Sequence, residues 1–384
     1  MHEPVCVASI NPVYQHRLLR AHGIDHQEVG ELFTVPGFQQ HNWLVEINRA
    51  FAQRPAFGLV YRNGGIKHPV KQYAPLGICA PTRQFDLAEA AEITVKRIAA
   101  SGSKINLMWS GGIDSTFVVT AFLQHCDHAQ LRILYSPWSC YEHPNYIRFL
   151  QQFDQIELID ISGDVYMRTQ AWDGCYVTGD GGDESHASVD ESFFNTHGYQ
   201  CLHSPWIDFL SKHCDNSDFI DFCQWFFAQS GRPIDTVLEA RWWFYISCKY
   251  YGQLFYGKWP FFLGGFDQFE PGRLISFFDN AEYQSFAYHS VPKIFYTDQY
   301  TSWKQFLKDY CYSFDNLQQW WRSHKKLNST QLYDYCYKKL TLLDRRWLIF
   351  LNNGTRIATA GMPWFSEKQY LDSVGAQVAG VFDV

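Results

Sequence analysis

The chain has no run of about 18 apolar residues, so no segment is long enough to cross a bilayer as a helix. Its start, Met1-His2-Glu3-Pro4, lacks the basic stretch and apolar core of a secretion signal. It has no Cys-x-x-Cys pair; eleven cysteines are scattered singly, an odd count at irregular spacing. That argues against a disulfide framework and gives no zinc signature. Free thiols in a reducing cytoplasm are the expectation. Long runs of like charge are also missing. Lys and Arg number 32 against 39 Asp and Glu, a net charge of −7 with His neutral. That balance offers no broad surface for duplex phosphates, which need clustered Lys and Arg.

What is present is apolar and aromatic. The hydrophobic share of 46% against 18% charged implies a folded globular chain with a sizeable core, and 384 residues leave room for two domains. The aromatic share reads as thick core packing, with a stacking surface for bases or peptides as the alternative. Residues 1–85 are of mixed character and are expected to form a small α+β domain. Trp43, Val45 and Ile47 fall at strand spacing, and Phe57 to Tyr61 reads as a strand before an Asn63-Gly64-Gly65 turn.

From residue 86 the pattern is regular. Residues 86–100 read as an amphipathic helix capped by Asp86, with Leu87, Ile93, Val95 and Ile98 as apolar positions. Lys104 to Trp109 is a buried strand, Ser110 to Asp114 a Gly-rich turn, and Ser115 to Gln124 an apolar helix. The alternation continues with a strand at Leu131 to Tyr135, a helix at Asn145 to Phe153 and a strand at Ile156 to Ile161. Arg168 to Asp173 is ambiguous, and Cys175 to Thr178 is a further strand. This spacing predicts an α/β fold with a parallel sheet covered by helices on both faces. Ligands of such sheets sit beyond the carboxyl ends of the strands, where both Gly-rich turns fall. Residues 200–350 are expected to be mostly helical, for example Val237 to Gln253 and Leu332 to Leu351.

The first turn is Ser110-Gly111-Gly112-Ile113-Asp114-Ser115-Thr116. Gly111 and Gly112 permit positive φ and a close approach of backbone to ligand. The first N–H groups of the following helix, and its dipole, attract an anion. Ser110, Ser115 and Thr116 add hydroxyls. Asp114 alone would repel phosphate, so its presence makes sense if it holds a Mg²⁺ that bridges to phosphate oxygens. No Gly-Lys-Ser/Thr follows, which rules out a Walker loop.

The second turn is Thr178-Gly179-Asp180-Gly181-Gly182-Asp183-Glu184. Three carboxylates this close carry an electrostatic cost unless a cation or proton offsets it. Asp183 can share a Mg²⁺ with Asp114, one carboxylate from each strand end. Asp180 and Glu184 are candidates for proton handling. The spacing does not fit an EF-hand. By itself the turn is a weak signal; paired with the first it sharpens.

All five fixed positions of the first turn match the Ser-Gly-Gly-x-Asp-Ser loop of the N-type ATP pyrophosphatases, or PP-loop proteins. Together the two turns resemble the synthetase domain of the asparagine synthetases, relatives of the β-lactam synthetases and lasso-peptide cyclases. The resemblance covers residues from about 86 to 375, strongly at the two loops and faintly at Leu343-Asp344-Arg345 and Met362-Pro363-Trp364-Phe365. It implies a nucleotide-hydrolase-like domain over 86–384 that binds ATP and Mg²⁺. By resemblance, Asp114 and Asp183 ligate the metal, and Ser110–Thr116 with Gly179 seat the pyrophosphate. Tyr135-Ser136 falls where the family's backbone contacts adenine. Asp180 stands where asparagine synthetases have a Glu that handles ammonia protons, one methylene longer.

The implied activity is an AMP-forming ligase. A small-molecule or peptide carboxylate becomes an acyl-adenylate, pyrophosphate leaves, and an amine displaces AMP. Two departures bear on this. Position 2 is His2, where the family's glutaminase has its Cys nucleophile, so the amine is expected to be free ammonia, a substrate amine or ammonia from a partner. A homo-oligomer is left open as well. The family also places a charge-stabilising Lys after its Val-Pro-Phe segment, whereas only Lys368 follows Pro363 here; Lys338, Lys339 or Arg345 are candidates to substitute. Two other readings stay open: a PP-loop enzyme acting on a nucleobase or tRNA, and a nucleotide-binding regulatory or assembly subunit without turnover. Cys175 has no evident partner for the thiolating chemistry of the former. His125, Cys126, Asp127 and His128 follow a helix end and are explained by it as well as by a metal. Trp242-Trp243 and Trp320-Trp321 read as core or interface.

Overall fold

The structure, a computed structural model, describes residues 50–51, 81, 83–135, 137–160, 172–186, 193, 196–213, 216–249, 273–294, 296–297 and 300–315. It also describes two strand pairs, at 7–8 with 59–60 and at 349–352 with 355–358. Five strands, β3 (Ile105–Met108), β4 (Leu131–Tyr135), β5 (Glu157–Asp160), β6 (Cys175–Thr178) and β7 (Leu274–Ser276), form one sheet in the order β5-β4-β3-β6-β7. Every pairing in it is parallel. The two outlying antiparallel pairs are β1 (Val7–Ala8) with β2 (Leu59–Val60) and β10 (Ile349–Asn352) with β11 (Thr355–Ala358). With its helices the protein is α/β, as the alternation predicts. The strand at β7 was hidden in the stretch expected to be helical, and the described part of the helix expected over Leu332 to Leu351 is strand instead, in β10.

The sheet alternates its side chains with period two. Ile105, Leu107, Leu131, Ile133 and Val177 enter the main core, while Leu134, Tyr176 and Leu274 form a second, smaller cluster with Met108 and Ile159. Polar residues also sit within the strands. Arg132 donates to Glu157 at 2.8 Å, to Asn106 at 2.9 Å and to Asp173 at 3.2 Å. Asn106 in turn donates to the carbonyls of Asp173 and Cys175 at 2.9 and 3.1 Å. A buried guanidinium without such partners would be costly; with them it ties β5, β4, β3 and the approach to β6 into one register.

The core face is covered by α1 (Leu87–Ala99) and α2 (Ile113–His125), which pack against each other. Asp86 caps α1 by accepting from Glu89 N at 2.7 Å. Ten of the thirteen residues of α2 are buried, so it is a core helix rather than an amphipathic surface one. The chain from β4 to β5 carries α3 (Pro137–Glu142) and α4 (Pro144–Leu150), and α5 (Gly182–Ser185) follows β6. Then come α6 (Trp206–His213), α7 (Ser217–Ala228) and α8 (Val237–Phe244). Thr236 and Glu239 form a capping box on α8, whose Trp242 and Trp243 are fully buried in the core. After β7, α9 (Ala281–Ser290) packs on α1. A short hairpin of β8 (Tyr296–Thr297) and β9 (Tyr300–Thr301) then leads to α10 (Ser302–Asp315), which packs along α2. Phe117 of α2 locks this layer together: its ring meets Tyr310 edge-on at 4.9 Å and stacks on Phe278 at 5.9 Å. Among the described residues no helix is long and apolar enough to cross a membrane, and Cys126, Cys140, Cys175, Cys201, Cys223 and Cys311 are free thiols.

Backbone geometry distinguishes two glycines of the same handedness. Gly174 enters β6 at φ +83°, and a Cβ there would overlap the Lys104 carbonyl; Gly102 has φ +66° with open space around it. Gly174→Ala is therefore expected to destabilise by ~2 kcal/mol or more and Gly102→Ala by about 1 kcal/mol. Urea denaturation followed by circular dichroism checks the order of the two.

Candidate functional site

The order of the sheet defines a switch point. From β3 the chain steps outward to β4 and β5, then returns to the other side of β3 as β6 and β7. The crevice of such a sheet opens between the carboxyl ends of the two strands where the direction reverses. Those strands are β3 and β6, and the two Gly-rich loops follow them directly.

The first loop is braced from within. Ser110 N donates to Ser115 Oγ at 3.1 Å, and the two hydroxyls meet at 2.9 Å. Ser115 Oγ and Thr116 Oγ1 both donate to the Gly112 carbonyl, at 3.0 and 2.8 Å. Thr116 Oγ1 also accepts from Trp109 Nε1 at 2.9 Å. Each hydroxyl has one proton to give, so in this geometry the Ser and Thr side chains shape the loop, and the groups left for an anion are its backbone N–H groups and the α2 dipole. Gly112 is the N-cap of α2 and brings no capping side chain. Gly111 has φ +83° and lies against α3: a Cβ would stand 2.5 Å from Ser139 O and 2.7 Å from Glu142 Cβ.

The second loop interlocks with the first. A Cβ on Gly179 would stand 2.8 Å from Ser115 Cα, and one on Gly182 would stand 2.6 Å from Asp114 Oδ1. Gly181, at φ 89°, turns the chain into α5. Any side chain at Gly179 or Gly182 would force the loops apart. Asp180 is held by its backbone, whose carbonyl accepts from Ser276 Oγ at 2.8 Å. Asp180 is half-buried and Glu184 is buried.

Asp114 stands in the first turn of α2, one residue inside the helix, where the sequence reading ended the turn. It and Asp183 converge on one cation, Lys304 of α10. Lys304 Nζ lies 2.6 Å from Asp114 Oδ2 and also pairs with Asp183 Oδ1. The Lys304 and Asp114 side chains are only 13% and 17% exposed, whereas Asp183 is 39% exposed and opens the site to solvent. Burial alone would lower the Lys304 ammonium, but the two carboxylates outweigh it and hold its pKa above the ordinary value. Tyr283 of α9 is fully buried beside them, and its hydroxyl has no hydrogen-bond partner among the described residues. Burial raises that phenol well above its ordinary value, and the charges of Asp114 and Asp183 raise it further.

Among the described residues no three His, Cys, Asp or Glu side chains gather into a metal cluster. Two carboxylates on facing loops nevertheless suit Mg²⁺, which takes one or two carboxylates and completes its shell with phosphates and water. The buried Tyr283 hydroxyl is a donor for such a water or phosphate oxygen. The donor set thus fits Mg²⁺.

Of the other candidates, Tyr135 ends β4 beside this crevice and is half-buried; burial, then Asp160, raises its phenol. Ser136, Lys338, Lys339, Arg345, Lys368, Trp320-Trp321 and the two C-terminal echo segments lie outside the described residues, as do Trp43 to Ile47. Cys175 opens β6 and so lies at the opposite end of that strand from the second loop. The His125–His128 stretch is dispersed. His125 meets Tyr310 OH at 3.2 Å, His128 meets the Leu123 carbonyl at 2.8 Å, and Asp127 caps Ala129 N at 3.0 Å. Burial pushes the Cys126 thiol up to about 11.

Lys304 is the residue that sequence reasoning missed. It belongs to no motif and lies 190 positions from Asp114. The available signal was its place on α10. Lys304, Leu307 and Cys311 share one helical face, and Leu307 and Cys311 are fully buried. A lysine on a buried stripe needs a partner.

The chain matches no known protein-family model and no curated protein.

Beneath Lys304, His186 is fully buried and stacks on Trp303, with centroids 4.8 Å apart and planes 3° from parallel. Burial, followed by the charge of Lys304, takes its pKa from 6.5 down to about 3. The unfolded chain therefore binds a proton at this residue between those values while the folded chain does not. The stability from a neutral His186 is present above pH about 6.5 and is lost as pH falls toward 3, at up to roughly 1.4 kcal/mol per pH unit. Denaturation midpoints of wild type and His186→Phe across this window are expected to converge as the pH falls.

Proposed function

We propose that the chain is an ATP-dependent, AMP-forming ligase that activates a carboxylate as its acyl-adenylate and passes the acyl group to an amine. The observation that carries this reading is the meeting of the two loops at the switch point, with Asp114 and Asp183 converging on Lys304. In this reading the domain over 86–384 is nucleotide-hydrolase-like with helices on both sheet faces, and residues 1–85 form a separate small domain.

The backbone of Ser110–Thr116 and Gly179 receives the β and γ phosphates, and Tyr135 borders the adenine side. Asp114 and Asp183 would hold Mg²⁺, which would supply charge neutralisation for the pyrophosphate. A substrate carboxylate oxygen attacks the α-phosphorus, and the bond from that phosphorus to the bridging oxygen breaks, releasing pyrophosphate. The amine nitrogen then attacks the acyl carbon, the bond to AMP breaks, and the amine proton passes to a base, for which Asp180 and Glu184 are the candidates. Catalysis rests on holding the reactants in line and on fixed charge. Lys304 supplies the cation for the charge that develops in amide formation, the role for which Lys338, Lys339 and Arg345 were the sequence candidates. The carboxylate is a small molecule or a peptide, and the ammonia or amine comes from solution or a partner.

One observation favours a second reading. The ion pairs of Lys304 also neutralise both carboxylates in place, as a structural bridge would, which suits a nucleotide-binding subunit without turnover.

Pyrophosphate release from ATP-Mg²⁺, screened across carboxylates with and without amines, separates the two. The ligase reading expects substrate-dependent release that falls at least about 100-fold in Asp114→Ala and Asp183→Ala. ATP binding without release in any mixture contradicts it and favours the second reading.

A further inference from the structure

Lys304 is a flexible side chain asked to keep its charge in one place, and the sequence neighbour that restrains it is Trp303. Trp303 is fully buried, and the Lys304 ammonium stands 4.3 Å from the centroid of its ring. A cation over an indole face is attracted by the ring quadrupole, more so when water is excluded. The ring is itself stacked on His186, so it has no freedom to swing away. His186 is anchored in turn. Its Nε2 meets Ser290 Oγ at 3.2 Å, and Ser290 gives its own proton to the Ala287 carbonyl at 3.2 Å. His186 also contacts Tyr283 edge-on at 5.7 Å and Phe286 at 5.5 Å. The charged groups that face Lys304 are Asp114 from α2, Asp183 from α5 and Lys308 one turn along α10.

We propose that Trp303 and His186 are positioning residues for Lys304: the stack of imidazole on indole, fastened to the end of α9, fixes the ammonium at the Asp114–Asp183 pair. His186 lies three residues beyond Asp183, so the same short segment carries one carboxylate and the support of the cation opposite it. Neither aromatic group touches reacting atoms; both act through Lys304. The placement stands on geometry, and its consequence for turnover rests on the ligase reading.

Two measurements test it. In protein labelled on lysine, the side-chain signals of Lys304, identified by their loss in Lys304→Arg, are expected upfield of the other lysines because of the indole ring current. Trp303→Leu removes that shift, Trp303→Phe keeps part of it, His186→Ala diminishes it and His186→Phe restores it. In turnover, Trp303→Leu is expected to lower kcat about tenfold with the KM for ATP unchanged, and to cause no further loss in a Lys304→Met background. An unshifted Lys304 signal in the wild type overturns the proposal. So do losses from Trp303→Leu and Lys304→Met that multiply in the double variant, as for a purely structural tryptophan. If the wild type shows no turnover while the upfield shift and its pattern of loss hold, the ligase reading fails and the positioning stands.

Discussion

A single ammonium held between two carboxylates organises the carboxyl end of this sheet. Two aspartates this close repel, and burying Lys304 and Asp114 carries a solvation cost. The pairing of Lys304 with both Asp114 and Asp183 offsets each effect, and it works only if three separate segments converge. Asp114 must begin a helix at the end of β3, Asp183 must follow β6, and α10 must return along α2 from a position nearly two hundred residues later. Phe117, wedged between Phe278 and Tyr310, fixes the last of these distances. Gly179 and Gly182 fix the first two by having no side chain to separate the loops.

The same elements explain what was legible in the sequence. The strands Leu131–Tyr135 and Cys175–Thr178 and the helix Leu87–Ala99 were readable because each has an apolar period and a stop signal of its own. The two loops were readable because glycine, carboxylate and hydroxyl residues at fixed spacing have few other uses. β7 was not, since three residues in an aromatic-rich stretch carry no period that distinguishes strand from helix. Lys304 was not, because its meaning is purely tertiary: one lysine on an aromatic helix acquires a role only when α10 is laid against α2. Resemblance pointed to lysines nearer the C-terminus, which lie outside the described residues.

The hydroxyls of the first loop were also read differently from the sequence than they stand in the structure. As donors to phosphate they would be spent on a ligand; here Ser115 and Thr116 are spent on the Gly112 carbonyl and brace the loop from within.

In the proposed function this cluster directs cleavage of ATP between its α and β phosphates. The most direct test is the ³¹P NMR spectrum of the products formed from ATP-Mg²⁺ by the wild-type chain with an accepted carboxylate. The account predicts AMP and pyrophosphate in equal amounts; ADP and inorganic phosphate would contradict it.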